Sequence, residues 1–269
     1  MNATALPEPV TLGCYVYGVV PIGTREPNDV EGIGDPPAPV TLVRHREIAA
    51  VVSEVDTGRP LGAPGDLLGH ARVLDSLAAA NVPVLPFRFG AVVRDVEAVA
   101  DDLLAPQERQ FADALEDLTD LAQFTVRGTY REDRVLRDIL AERADIARLR
   151  EQVAGLPEDA ARYQQIQLGE LISQELTARG QADTARLLDV LAPLAARAFH
   201  ADATADQPLY ASFLVPHDRW KGFEHATEDL AADWGAWMEL RMLGPLAPYD
   251  FASQLVDADV DAEGDGSWD

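Results

Sequence analysis

An α+β protein is expected from this sequence: an N-terminal ferredoxin-like α+β domain, then a C-terminal α+β domain that contains a helical hairpin. Three observations predict it. Short runs of β-branched and aromatic residues alternate with amphipathic stretches over residues 12–130. A pair of long, charge-laced helical segments follows, broken at Gly155-Leu156-Pro157. Two further strand patterns then flank one helix before residue 243. The expected boundaries are 12–130 for the first domain, 131–252 for the second and 253–269 for an acidic, disordered tail.

Residues 14–20, Cys-Tyr-Val-Tyr-Gly-Val-Val, are bounded by turn formers and read as a buried strand. Residues 21–39 hold five prolines and three glycines without periodicity, which predicts a loop. Residues 40–44 and 48–55 read as two strands joined by a polar turn. A helix is expected from near Asp66 to Asn81, with Leu67, Leu68, Ala71, Leu74, Leu77 and Ala78 on its buried face. The prolines in 82–93 keep that segment extended, and alternation places Leu85, Phe87 and Phe89 on one face with Arg88 opposite. Residues 95–120 form an amphipathic helix with a break at Pro106, and 121–130 alternate as a half-exposed strand. The order β-β-β-α-β-α-β implies an antiparallel or mixed sheet with helices on one face.

Residues 131–154 carry opposite charges three and four apart and predict a helix. Residues 158–199 predict a second one, with a dip at Arg179-Gly180 and a kink at Pro193. Residues 209–215 and 236–243 read as strands and 220–234 as a helix.

Composition narrows the function. A net charge of −24 repels nucleic acid and anionic membranes, whose recognition needs clustered Lys and Arg. Cys14 is the one cysteine, so no intrachain disulfide or multi-cysteine metal site is possible, and it reads as a small core residue. No signal peptide or run of 18 apolar residues is visible, so the expected compartment is the cytoplasm.

Motifs for chemistry are few. His45, His70, His200, His217 and His225 lack metal-ligand spacing, and His70 reads as a structural hydrogen-bonding residue of its helix. Gly32-Ile33-Gly34 has the look of a dinucleotide loop, but Pro36 and Pro37 follow where a helix would have to start. Asp101-Asp102 and Glu116-Asp117 read as solvated helix faces. Arg88 between two phenylalanines reads either as an internal ion pair or as a partner anchor. The stretch 234–251 concentrates aromatic residues and prolines with few charges and presents a shaped surface rather than a reactive one. Protein binding is therefore expected at Phe87, Arg88, Phe89, Trp220, Tyr249 and Phe251, with no catalytic, cofactor or metal residues. The competing class is a small-molecule-binding or enzymatic ferredoxin-like protein, whose polar site would draw on His70, Arg88 and Tyr15 or Tyr17.

Several motifs in order resemble one known family. His70-Ala-Arg-Val-Leu-Asp-Ser-Leu77 followed by Val82-Pro-Val-Leu-Pro-Phe-Arg-Phe-Gly90 resembles the helix and "VLPxRFG" strand of the gas vesicle GvpL/GvpF family. Tyr15-Val-Tyr-Gly18 is similar to its opening strand, Leu209–Val215 to its "NAAYLV" strand, and Leu243–Phe251 to its "TGPWPPYSF" ending. Leu243, Leu246 and Ala247 depart from that ending, while the Gly-Pro-x-x-Pro-Tyr-x-Phe frame stands. The resemblance, over about residues 12–252, implies an accessory protein of gas vesicle assembly. It implies binding to the hydrophobic shell-forming subunit and other accessory proteins, and a role in shell nucleation or as a minor structural component. A strongly acidic chain also stays soluble while offering apolar patches to such a subunit.

Overall fold

The structure, a computed structural model, describes residues 12–27 and 29–257. It divides into two units: Met1–Gln123 with Pro245–Asp269, and Phe124–Gly244 between them. The sequence places the boundary instead at 130/131 and continues the second domain to 252. The difference arises because the 121–130 strand pairs into the second unit's sheet and the chain then returns to the first unit.

The first unit opens with β1 (Leu12–Pro21), β2 (Thr41–His45) and β3 (Ile48–Asp56). Arg46, at φ 48°, turns β2 directly into β3. Both pairings are antiparallel, in the spatial order β2-β3-β1. The register slips between Val16 and Gly18, leaving Tyr17 as the extra residue of a β-bulge. Helix α1 (Pro64–Ala79) follows, with Pro64 at its first turn and Asn81, at φ 55°, past its end. Two short pieces, β4 (Leu85–Pro86) and β5 (Val92–Val93), both pair with β1. Helix α2 (Val96–Ala98) widens into a π-helical stretch over Val99–Leu104 and continues as α3 (Ala105–Asp117). Pro106 does not break the helix: it stands directly after the π-helical turn, in the first turn of α3.

The buried face of α1 differs from expectation. Leu67 and Leu68 are exposed, while Asp66, Gly69, His70, Val73, Leu74 and Leu77 face the core. Counting apolar residues alone misses this face, because Asp66 and His70 extend the row through Val73, Leu74 and Leu77 at spacings of three and four.

The second unit contains β6 (Leu121–Tyr130), which begins within the first unit, and α4 (Glu132–Glu142), α5 (Ala144–Ala154) and α6 (Glu158–Leu191). Then come β7 (Arg197–His200), β8 (Leu209–Pro216), α7 (Trp220–Trp234) and β9 (Met238–Leu246). The sheet order is β7-β8-β6-β9. Helices lie between the first and second strands and between the third and fourth, which is the split βαββαβ plan. The ferredoxin-like arrangement expected of the first unit is thus found in the second. In the first, β1, β2 and β3 follow one another without a crossover helix.

Four expectations need local correction. Residues 122–126 of β6 are all buried rather than alternating. The 131–154 helix is two helices, parted at Arg143, whose backbone (φ −108°, ψ 86°) is not helical. Helix α6 runs through Arg179-Gly180 without a dip, since Gly180 lets it approach the Pro208 carbonyl. Residues 197–200 pair with β8 as a strand, because the chain leaves the helix at Pro193.

Helix α8 (Ala252–Asp257) completes the first unit and packs on α3. The tail expected over 253–269 therefore opens with helical residues, and 258–269 lie outside the described residues.

Candidate functional site

The polar side chains that the sequence singles out on β1 and α1 meet inside the first unit. Tyr15 and Tyr17, with rings 5.0 Å apart, both lie 5.8 Å from the His70 ring. The Tyr15 hydroxyl accepts from the Gly90 N–H (3.2 Å) and lies 2.8 Å from His70 Nδ1. The two share one proton, carried by the phenol when the imidazole is the Nε2–H tautomer and by Nδ1 in the other. Tyr17 Oη accepts from the Ile33 N–H (2.8 Å) and donates to Ser53 Oγ (3.0 Å), which in turn donates to the Pro39 carbonyl (2.8 Å). Gly32 is required here, because a Cβ would strike the Tyr17 hydroxyl and Ser53 Oγ. The Gly32-Ile33-Gly34 loop is a lid on this tyrosine.

Burial sets the electrostatics. It pushes the Tyr15 phenol up to about 12 and raises Tyr17 as well. It holds the His70 imidazole below its ordinary value, partly offset by the Phe87 carbonyl. Burial also pushes the Cys14 thiol up to about 11, helped by Glu54 and Asp95. Asp66 is the exception: burial opposes its charge, yet its carboxyl stays below the usual range. Gly62 and Ala63 donate N–H groups to it, and Arg59 Nη2 reaches both oxygens at 2.7 and 2.8 Å. Hydrogen bonds join Tyr15 to His70 and Asp66 to Arg59, while among the described residues His70 Nε2 and Arg59 Nη1 are buried without a hydrogen-bond partner.

The Gly-Pro-x-x-Pro-Tyr-x-Phe frame enters this same cluster. The Ala247 N–H donates to Asp75 Oδ1 (3.1 Å), and Tyr249 lies 6.2 Å from the His70 ring. Gln123 and Asp250 exchange two hydrogen bonds, of 2.8 and 3.1 Å, and Phe251 is buried. Gly244, at φ 156°, is needed because a Cβ would meet the Phe124 ring. The frame that the sequence presents as a surface is a structural clasp, with Tyr249 its one exposed aromatic ring.

An open groove of about 690 Å³ lies beside this cluster. Its walls include Pro86, Phe87, Phe89, Leu103 and Phe111, and Arg88 is the one charged side chain among its lining residues. The segment 87–91 bulges between β4 and β5, held by bonds from the Phe87 N–H to Tyr17 O (2.8 Å) and from the Val16 N–H to Ala91 O (2.9 Å). The alternation expected here stops at Pro86. Phe87 turns to Phe111 (5.9 Å), whereas Phe89 turns to Tyr15 (5.9 Å) and His70 (5.7 Å). Both rings are half-buried, and Arg88 is exposed, without an ion pair among the described residues. Leu103 and Phe111 complete the groove, and nothing in a helix period says which strand they cover.

The structure thus gathers Phe87, Arg88 and Phe89 in one groove. Phe251 lies in the core and Tyr249 on the clasp. Trp220 belongs to the second unit, where its indole N–H donates to Val215 O (3.0 Å) and its ring packs on Phe124 (5.6 Å) and His217 (4.6 Å). A second groove, of about 540 Å³, lies within that unit between α4, α5 and α6, floored by Leu136, Leu140, Leu168 and Ile172. Among the described residues no cluster of three His, Cys, Asp or Glu side chains has the arrangement of a metal site, and no helix is long and apolar enough to cross a membrane.

Comparison with known proteins gives one consistent result. The family model described as "Gas vesicle synthesis protein GvpL/GvpF" matches residues 13–253. Gas vesicle protein F of Streptomyces sp. (strain CB03234) is 32% identical over 251 residues, covering 89% of this chain and 99% of the relative. Its counterpart in Dolichospermum flosaquae is 26% identical over 245 residues, covering 90% and 98%. The crystal structure of GvpF from Anabaena sp. PCC7120 superimposes with a TM-score of 0.71 at 26% identity, covering 89% of this chain and 98% of that one.

Proposed function

The chain belongs to the GvpL/GvpF family of gas vesicle synthesis proteins, and from that premise we propose that it binds the hydrophobic shell-forming subunit during gas vesicle assembly, through the groove at Phe87, Arg88 and Phe89. One observation carries the reading. The groove is apolar, open and floored by rings, and Arg88 stands at its surface with no carboxylate partner among the described residues. Such a surface suits an apolar segment of another polypeptide, with the guanidinium as a polar anchor at the rim. The surrounding acidity keeps the holder soluble while one patch stays adhesive.

The small-molecule alternative needs His70, Tyr15, Tyr17 and Arg88 to converge on an enclosed cavity. The first three are buried and bonded within the fold, and Arg88 points away from such a role by its exposure. The same reading places the protein in the cytoplasm, at the growing vesicle, without catalytic turnover.

The test is co-expression with the shell subunit, followed by affinity capture. The native chain should retain the subunit in the soluble fraction. Arg88→Glu and Leu103→Glu should reduce that retention severalfold without changing the melting temperature by more than a few degrees. Equal retention by both variants would move the binding surface elsewhere.

A further inference from the structure

Helices α4, α5 and α6 of the second unit border a groove of about 540 Å³, inside the range of about 300–1,000 Å³ usual for binding clefts. Leu136 and Leu140, four apart on α4, and Leu168 and Ile172, four apart on α6, are half-buried and supply its apolar lining. Rows of side chains at that spacing are the ridges by which helices interdigitate. Two charges of one sign stand at the rim. Arg137 on α4 and Arg150 on α5 are both exposed and without an ion pair among the described residues. Arg137 Nε donates to the Asp133 carbonyl (2.7 Å), and Asp133 is the one acid in the lining. Neighbouring arginines are neutralised: Arg134 holds Asp138, and Arg143 holds Asp145 and Glu175.

We propose that this groove docks an amphipathic helix of another polypeptide, one whose apolar stripe is flanked by carboxylates that pair with Arg137 and Arg150. The surface is distinct from the Phe87–Arg88–Phe89 groove and does not depend on it.

Charge complementarity selects the partner. Residues 127–150 hold seven arginines against five acids, whereas the whole chain has 46 acids against 22 bases. A partner drawn by the overall field would be basic. A partner seated in this groove must instead bring acid to two unpaired guanidiniums. The walls select a helix. All of them are helical, so an extended segment would find no strand edge for its N–H and C=O groups. A helix satisfies its own backbone and lays a row of side chains between the two ridges. A small ligand is ordinarily enclosed over about 70–90% of its surface, which an open groove does not provide. A second copy is disfavoured by repulsion between two chains of net charge −24.

The test measures fluorescence anisotropy of a labelled designed helix against the full chain. The probe has about 18 residues, enough to be helical in water, with leucines along one stripe and glutamates beside it. Two control peptides replace every glutamate by lysine or place a proline at the centre. The glutamate helix should bind at least about tenfold more tightly than the lysine helix, the reverse of the order that net charge alone would give. Arg137→Glu combined with Arg150→Glu should abolish that preference and leave the melting temperature unchanged, since both side chains are exposed. Preference for the lysine helix, equal binding of the two, or a glutamate preference that survives the double variant would overturn the proposal. Equal binding of the proline-broken peptide would rule out a helical occupant. Light scattering adds the last arm. Dimers of the native chain that vanish in the double variant would make the occupant a second copy, and the proposal would fail.

Discussion

In the unit built on β1–β5 the core contains two phenols, a hydroxyl, an imidazole and a carboxylate. In the unit built on β6–β9 it is a cluster of rings and aliphatic chains. Phe124, Phe213 and Phe223 pack with centroids 5.2 to 5.5 Å apart, joined by Leu187, Leu191, Leu209 and Met238. Polar pairs are buried there too, such as Tyr130 with Asp183 (2.8 Å) and Thr125 with Ser212 (2.9 Å), but no imidazole is among them. Charges are instead spread over the α5–α6 hairpin, where Arg143 and Arg179 both hold Glu175. The difference teaches that the two units depend on different physics. One adds to its aliphatic cluster directional bonds that need the correct protonation states. The other is held chiefly by packing that is sensitive to volume.

The molecule offers separate reporters for the two. Cys14 lies in the first unit, and three of the four tryptophans, Trp220, Trp234 and Trp237, lie in the second. Thiol labelling and tryptophan fluorescence can therefore follow the units independently. The largest expected effect is Phe213→Ala. Removing a fully buried ring should cost about 3–5 kcal/mol and shift the fluorescence transition to lower denaturant, with Cys14 labelling less affected. Next is Asp66→Ala. It leaves Arg59 and two N–H groups without their acceptor and should cost about 3 kcal/mol, this time advancing Cys14 labelling first. If either variant moves both transitions together, the units unfold as one and the contrast drawn here fails.

Acid sharpens the comparison. His70 has a folded pKa below its unfolded value, so the folded state resists taking up the proton. Its neutral form gives full stability above the ordinary imidazole value of about 6.5, and that stability is lost as pH falls from there toward the lower folded pKa. Asp66, also lowered, contributes stability above the ordinary carboxylate range that is lost as pH falls toward its folded value. Asp75, raised by burial, acts in the opposite direction, since protonation relieves its cost. Cys14 should therefore become easier to label after a brief exposure to pH near 5, quenched at neutral pH. His70→Asn should remove the part of that slope between about pH 6.5 and 5. A wild-type profile flat over that range would show that the imidazole does not report on the fold. The smallest effect is Tyr17→Phe. It leaves Ser53 and the Ile33 N–H short of a partner and should cost about 1–2 kcal/mol, seen in the thiol transition alone.

Much of this architecture was legible in the residues themselves. The β-branched runs of β1 and β3 and the punctuation at Gly155-Leu156-Pro157 mark their elements because local chemistry dictates them. Pairing partners and the facing of polar residues were not legible. Asp66 and His70 count as polar in any periodicity, yet they are the inward residues of α1. Their acceptance inside depends on Arg59, Tyr15 and a loop glycine that come from elsewhere in the chain. The groove shows the same limit. Phe87, Arg88 and Phe89 could be named from their motif, but Leu103 and Phe111 join them only through tertiary packing. The facing of the clasp is illegible for a related reason, since prolines and aromatics mark a rigid turn whether it faces solvent or core.

The first unit is interrupted in the chain by the whole of the second. During synthesis, therefore, Asp75, Gln123 and the His70 cluster emerge from the ribosome well before Ala247, Tyr249 and Asp250, their closing partners, have been translated. The portion made first is the portion finished last, and a newborn chain must carry an incomplete N-terminal half for about 120 residues of elongation, several seconds or more at cellular translation rates of about 5–20 residues per second.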